Sequence, residues 1–250
     1  LQVDGAITGS STINGVGIAS SITNFANSIL ISNDAGTGTL SSANNNTGLG
    51  FEVFDDLTSG DDNVGVGVQA LTKLTTGVQN TAIGSASLDA NTSGNYNTAV
   101  GTSSLGANTT AEENTALGWS AAGSTTTGAS NVAVGSQALA DNTTGASNVA
   151  IGREALHTNT TASNNTAIGK HSLRLNTTGA SNTAVGKDSL GVNTTGNDNT
   201  SLGYASLDAN TAANRNTAIG SEALSTLNVT SDTHTYNTAV GYAAGNAVTT

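Results

Sequence analysis

A large aliphatic residue recurs along most of this chain in a fixed setting, with an asparagine three residues before it and a glycine directly after it. The glycines are Gly50, Gly67, Gly84, Gly101, Gly118, Gly135, Gly152, Gly169, Gly186, Gly203 and Gly220, each 17 residues from the last. Gly241 follows after 21, so a four-residue insertion (21 − 17 = 4) falls near Ser225–Tyr236. Taking the asparagine as position 1 and the glycine as position 5, position 4 is always Leu, Val or Ile, as in Leu49, Ile83, Val134 and Ile219. Position 9 is usually Leu, as in Leu71, Leu88, Leu139, Leu173 and Leu207, and weakens to Ala122 and Gly245. Positions 12 to 15 read Asn-Thr-Thr-Gly or close to it, and position 13 is Thr in eleven of twelve copies, Asn228 being the exception.

Seventeen residues with two Gly/Asn turn signals are too few for two packed helices, and Asn and Gly form helices poorly. The pattern predicts an all-β chain, a parallel β-solenoid or β-roll of about twelve 17-residue coils. Each coil would carry a short strand at positions 2–5, a turn, a second short strand near 7–10, and a longer polar turn. Coils stack about 4.8 Å apart, so twelve give a rod of roughly 58 Å. Residues 1–26 read as a small N-terminal β segment or joint, 27–45 as a degenerate first coil or cap, and 46–250 as the solenoid. Both ends read as joints, as in a segment of something longer or a subunit that stacks end to end.

Along a strand, positions 2 and 4 share one face and positions 3 and 5 the other. Position 4 is the larger residue, so its face is expected inside the coil. The opposite face is nearly bare backbone: Ala82 and Gly84, Ala99 and Gly101, Ala133 and Gly135, Ala150 and Gly152. A bare face lets another backbone approach closely, which marks it as an oligomer face. The alternative for position 5 is a turn glycine with positive φ. Two large side chains per coil offset only part of the entropy of ordering 17 residues. Burial between chains is therefore expected; a trimer is favoured as the commonest association of such thin rolls, while the balance of burial against entropy does not itself select three over two.

Charged residues make up only 9% of the chain, against about 25% in ordinary domains. Val, Ile and Leu recur too regularly for a disordered chain. The net charge of −11 argues against a nucleic-acid partner. The longest apolar run, around Ile29-Leu30-Ile31, is far short of the ~20 residues that span a bilayer as a helix, so no membrane insertion is expected. Without cysteine there is no disulfide framework and no thiolate metal site.

Candidate chemistry is sparse. His157, His171 and His234 occupy different coil positions, so no zinc site is expected. Asp55, Asp56, Asp61 and Asp62 are dense enough for an opportunistic cation but read as a solvated loop. Asp232 and His234, in the insertion, are the nearest thing to a catalytic dyad, with no serine elbow beside them. No enzyme activity and no cofactor are expected. Position 6 runs Trp119, Ser136, Arg153, Lys170, Lys187, Tyr204, a cationic stripe flanked by aromatics that suits a sugar or an anionic polymer, against a plain solvated edge. Asn91, Asn108, Asn142, Asn159, Asn176 and Asn193 at position 12 begin Asn-x-Ser/Thr sequons, giving either a row of N-glycans or turn chemistry. The Thr pairs at positions 13 and 14 are set against the flat arrays of ice-binding solenoids, but adjacent threonines in a turn do not match a Thr-x-Thr strand face.

The strings Asn131-Val132-Ala133-Val134-Gly135 and Asn148-Val149-Ala150-Ile151-Gly152 resemble the head repeats of trimeric autotransporter adhesins. The longer Asn-Thr-Ala-Val-Gly-x-x-Ala-Leu-x-x-Asn-Thr-Thr-Gly pattern is similar to repeats in bacteriophage tail fibres. The resemblance covers about residues 46–250 and implies a left-handed β-roll with three chains side by side. It implies a structural fibre or host-attachment module on a virion tail or at a cell surface, with a host glycan or protein as receptor. The alternatives are a self-polymerising extracellular filament subunit and a bacterial adhesin passenger.

Overall fold

The computed structural model describes residues 11–13, 16–22, 25–32, 40–231 and 233–248. Three strands open the chain: β1 (Ser11–Ile13), β2 (Val16–Ile22) and β3 (Phe25–Ser32), paired antiparallel. From β3 onward every pairing is parallel. Twelve three-residue strands follow, one per coil: β4 (Thr47–Leu49), β5 (Val64–Val66), β6 (Thr81–Ile83), β7 (Thr98–Val100), β8 (Thr115–Leu117), β9 (Val132–Val134), β10 (Val149–Ile151), β11 (Thr166–Ile168), β12 (Thr183–Val185), β13 (Thr200–Leu202), β14 (Thr217–Ile219) and β15 (Thr238–Val240). They form one sheet in chain order, and from β4 to β14 each residue pairs with the residue 17 further on. The chain is a parallel β-solenoid with coils of about 17 residues.

Three expectations need correcting. The strand covers positions 2–4, and positions 7–10 form turns rather than a second strand. Those turns use left-handed backbone: φ is 55° at Glu154 (position 7) and 51° at Leu156 (position 9). The sheet also faces the opposite way. Position 3 points inward: Ala82, Ala99, Ala133 and Ala150 are fully buried. Positions 2 and 4 point out, with Ile83, Leu117 and Ile151 exposed. The coil is too narrow to hold two large rows, and the Leu at position 9 already fills it, so position 3 must be small. The glycines are turn residues. Gly84, Gly101, Gly135 and Gly152 have φ of 137°, 131°, 131° and 128°. A Cβ on Gly152 would stand 2.7 Å from the carbonyl of Gly169 in the next coil. The Ala row is therefore interior, and the half-buried Gly row is a turn set close against the backbone of the next coil.

Size is balanced coil by coil inside. The first coil carries Val53 and Phe54 where later coils carry a small residue and Leu, and there position 3 shrinks to Gly48 and Gly65. A Cβ on Gly65 would meet the Val53 side chain at 2.8 Å. Where position 3 becomes Ser201, three buried hydroxyls meet: Ser201 Oγ lies 2.6 Å from Ser206 Oγ and 2.7 Å from Ser189 Oγ. Near the start, Ser28 stands in for the position-1 asparagine, its Oγ accepting the Asn46 N–H at 2.7 Å.

Candidate functional site

Two asparagine rows lie inside the coil. At position 1 each side-chain oxygen accepts the backbone N–H of the next coil's asparagine, at 2.9 Å for Asn46 to Asn63 and 3.1 Å for Asn216 to Asn237. From Asn46 to Asn199 the side-chain nitrogen donates to the inward carbonyl at position 15 of its own coil, as Asn148 Nδ2 does to Ala162 O at 2.9 Å, whereas Asn216 Nδ2 turns to Asn214 O. Position 12 serves the same turn: Gly94 N–H donates to Asn91 Oδ1 and Asn91 Nδ2 donates to Gly94 O, both at 3.0 Å. A buried turn has polar backbone atoms that water cannot reach, and the amides satisfy them. The position-12 row is closed by Leu57 and Leu74 at one end and Leu227 at the other, all fully buried.

This decides the sequons. Asn91, Asn108, Asn142, Asn159, Asn176 and Asn193 are fully buried, with their amide nitrogens engaged. The folded coil does not offer them for glycosylation. Position 13 is also structural: Thr143 Oγ1 donates to Thr160 O at 3.0 Å, and Thr177 Oγ1 to Thr194 O at 3.0 Å.

The outer sheet face is a regular surface that runs through all twelve coils. Position 2 holds nine Thr and three Val, and position 4 holds only Val, Ile or Leu. No charged residue sits at either position in any coil, so the net charge of −11 is borne elsewhere. Exposure at position 4 reaches 49% at Leu49, 48% at Leu117 and 45% at Leu202, large values for aliphatic side chains that recur along one line with half-buried ones between them. The signal was present in the sequence, but it was assigned to the interior.

The position-6 edge is exposed as expected, with Trp119, Arg153, Lys170, Lys187 and Tyr204 all outward. It does not offer three free cations. Arg153 pairs with Glu154 at 2.6 Å, and Lys187 contacts Asp188 while lying 5.0 Å from the Tyr204 ring centroid. The Arg153 hydrogen bond, opposed by partial burial, holds Glu154 below the ordinary glutamate value. Burial pushes Asp188 up, but Lys187 and His171 outweigh it and hold its carboxyl down. His171 sits between two carboxylates of neighbouring coils, 3.2 Å from Asp188 Oδ1 and 3.3 Å from Glu154 Oε2. The sequence reading treated the three histidines separately and missed this row, because position 7 (Glu154, His171, Asp188) becomes contiguous only once coils stack.

Of the other candidates, Asp56 pairs with Lys73 at 3.5 Å, and Asp61 and Asp62 accept hydrogen bonds from Asn44 and Asn45. Among the described residues no group of three His, Asp or Glu is placed to hold a metal ion. Asp232 lies outside the described residues. His234 meets the Tyr236 ring edge-on, centroids 5.7 Å apart, and Arg215 donates to the Tyr236 hydroxyl at 3.1 Å. The insertion thus forms an excursion at the corner after position 12 and leaves β14 and β15 paired in parallel. No helix among the described residues is long and apolar enough to cross a membrane. No protein-family model, curated protein or solved structure matches the chain.

Proposed function

We propose that this chain is a non-catalytic structural module, a stiff β-solenoid shaft or attachment segment of a fibre such as a phage tail fibre, working outside the cell or on a virion. The observation that carries the reading is the outer sheet face. Twelve coils present two ranks of Thr and branched aliphatic residues without a charge among them. At about 4.8 Å per coil the strip is roughly 58 Å long. Such a strip, together with the aromatic and aliphatic residues beside it at position 6, approaches the ~800 Å² per partner of a standard interface. Copies of the same chain packed on this face, three in the favoured arrangement, would shield it and thicken the rod. The role fits the rest of the molecule: a repeated backbone ladder gives stiffness and reach, and polar edges remain for attachment.

A filament subunit that stacks end to end is the second reading. Negative-stain microscopy with light scattering separates the two. Discrete rods near three times 24.4 kDa support the fibre module. Long filaments of constant width overturn it in favour of end-to-end assembly, and monomers at micromolar concentration remove the oligomer face from the proposal.

A further inference from the structure

We propose that the groove between positions 7 and 10 in the coils around residues 171–208 binds a neutral saccharide, with His171, Arg174, Asp188 and Asp208 taking its hydroxyl groups. This rests on the reading of the chain as an attachment module and places the ligand within it. A hollow of about 180 Å³ opens here, lined by His171, Arg174, Asp188, Gly191, Val192 and Asp208. It exists because position 10 loses its side chain. That position is His157 and Arg174 in two successive coils, Gly191 in the next, and Asp208 in the one after. Arg174 and Asp208 therefore stand two coils apart, about 10 Å along the axis, with nothing between them.

Neither is satisfied by the protein. The half-buried Arg174 guanidinium makes no hydrogen bond or ion pair among the described residues, and the Asp208 carboxylate has no ion pair there. Burial and then the nearby Asp188 charge push the Asp208 carboxyl up, with the Lys187 charge pulling the other way. The other two walls are held firmly: the His171 ring is 3.2 Å from Asp188, and Asp188 is gripped by Lys187. Arg174 can only donate and ionised Asp208 can only accept. A ligand filling the gap must therefore accept at one end and donate at the other, which hydroxyl groups on one sugar ring do. An anion would face two carboxylates, and a cation would face the guanidinium. The hollow is below the roughly 300–1,000 Å³ of drug-sized pockets and suits a single ring rather than a buried chain.

The test is a printed array of neutral hexose, 6-deoxyhexose and N-acetylhexosamine oligosaccharides, probed with the full chain and followed by calorimetric titration of any sugar retained. Two variants fit the repeat. Gly191→His fills the hollow with the residue that position 10 carries at His157, and Arg174→Gly installs the glycine found there at Gly106 and Gly123. Retention by the native chain, weakened about tenfold or more by each variant with an unchanged melting curve, is the expected result. No retention of any array sugar, or retention that both variants leave intact, overturns the site. Rods of fixed length that bind no sugar would discard this site while leaving the fibre reading in place.

Discussion

The side-chain oxygen of Asn131 accepts the backbone N–H of Asn148, one coil further on, at 3.0 Å. Asn148 repeats the act for Asn165, also at 3.0 Å. These amides are buried, so each acts as the internal cap that lets a turn close without water. Replacing Asn148 with Ala strands the Asn165 N–H and removes one of two donors to Ala162 O, which keeps Asn159 Nδ2 at 3.0 Å. At about 1–3 kcal/mol for an unsatisfied buried group, with a small cavity added, the expected loss is about 2–4 kcal/mol in denaturant titration. Thr144→Ala, on the exposed position 14, is expected to stay within about 0.5 kcal/mol of the native value.

The turn glycines are predicted to tolerate nothing larger. Gly152 holds φ at 128°, a region nearly closed to other residues, and its missing Cβ would press on the Gly169 carbonyl. Gly152→Ala should lower stability by about 2 kcal/mol or more and accelerate amide exchange in the flanking coils. Gly191→Ala is the control. Its φ is not in the left-handed region, and its nearest contact would be 3.2 Å, so a change several times smaller is expected.

A coupled pair tests the size balance. Gly65→Ala alone should clash with Val53, whose methyl would lie 2.8 Å from the new Cβ. Val53→Ala alone should leave a cavity. The double variant restores the small pair that later coils carry at positions 3 and 8, with Phe54 kept, so it should be more stable than the sum of the two losses predicts, by about 0.5–3 kcal/mol in a double-mutant cycle.

Asp89 gives a pH prediction with a definite sign. Burial, only partly offset by backbone hydrogen bonds from its own and the following amide, raises its carboxyl above the ordinary aspartate value. A raised folded-state pKa means the folded chain binds the proton more readily than the unfolded one. The resulting penalty is fully present above the folded pKa, shrinks as pH falls toward the unfolded value, and is gone below it. Asp89→Asn should therefore raise the melting temperature at pH 7 and give no such gain at pH 3. Equal gains at both pH values would assign the effect to something other than charge.

The outer face makes the remaining prediction. Ile151→Lys with Ile168→Lys places two charges on one rank of the strip, at residues 38% and 37% exposed in the single chain. Because both side chains already meet solvent, the fold should persist by circular dichroism. The assembled mass should fall to that of one chain.

The period, the coil and the strand position were legible because a parallel ladder demands the same residue count in every turn. Which face points inward was not, and the reason is physical. Alternation separates two faces without orienting them, and placing the larger residue inside ignored how narrow a 17-residue coil is. The corrective signal lay in the first coils, where Gly48 and Gly65 shrink as Val53 and Phe54 grow. That compensation makes sense only if positions 3, 8 and 9 share one interior. The asparagines misled for a related reason: Asn91 and its counterparts read as turn residues, and they are, but in a turn whose polar groups face inward. The His171 row and the Gly191 hollow could not be read along the chain, since their members lie 17 residues apart and meet only across coils.

The 21-residue coil shows where this architecture can change. Its four extra residues bulge at the corner after Leu227, and β15 still finds β14. Elsewhere the ladder admits only whole turns, because a coil short by one residue would set Asn against Thr along both internal rows. Deleting one 17-residue unit should shorten the rod by one coil spacing and leave everything else in place. The gene can thus adjust reach in fixed increments, as a ruler does, and corner loops can vary without altering the measured length.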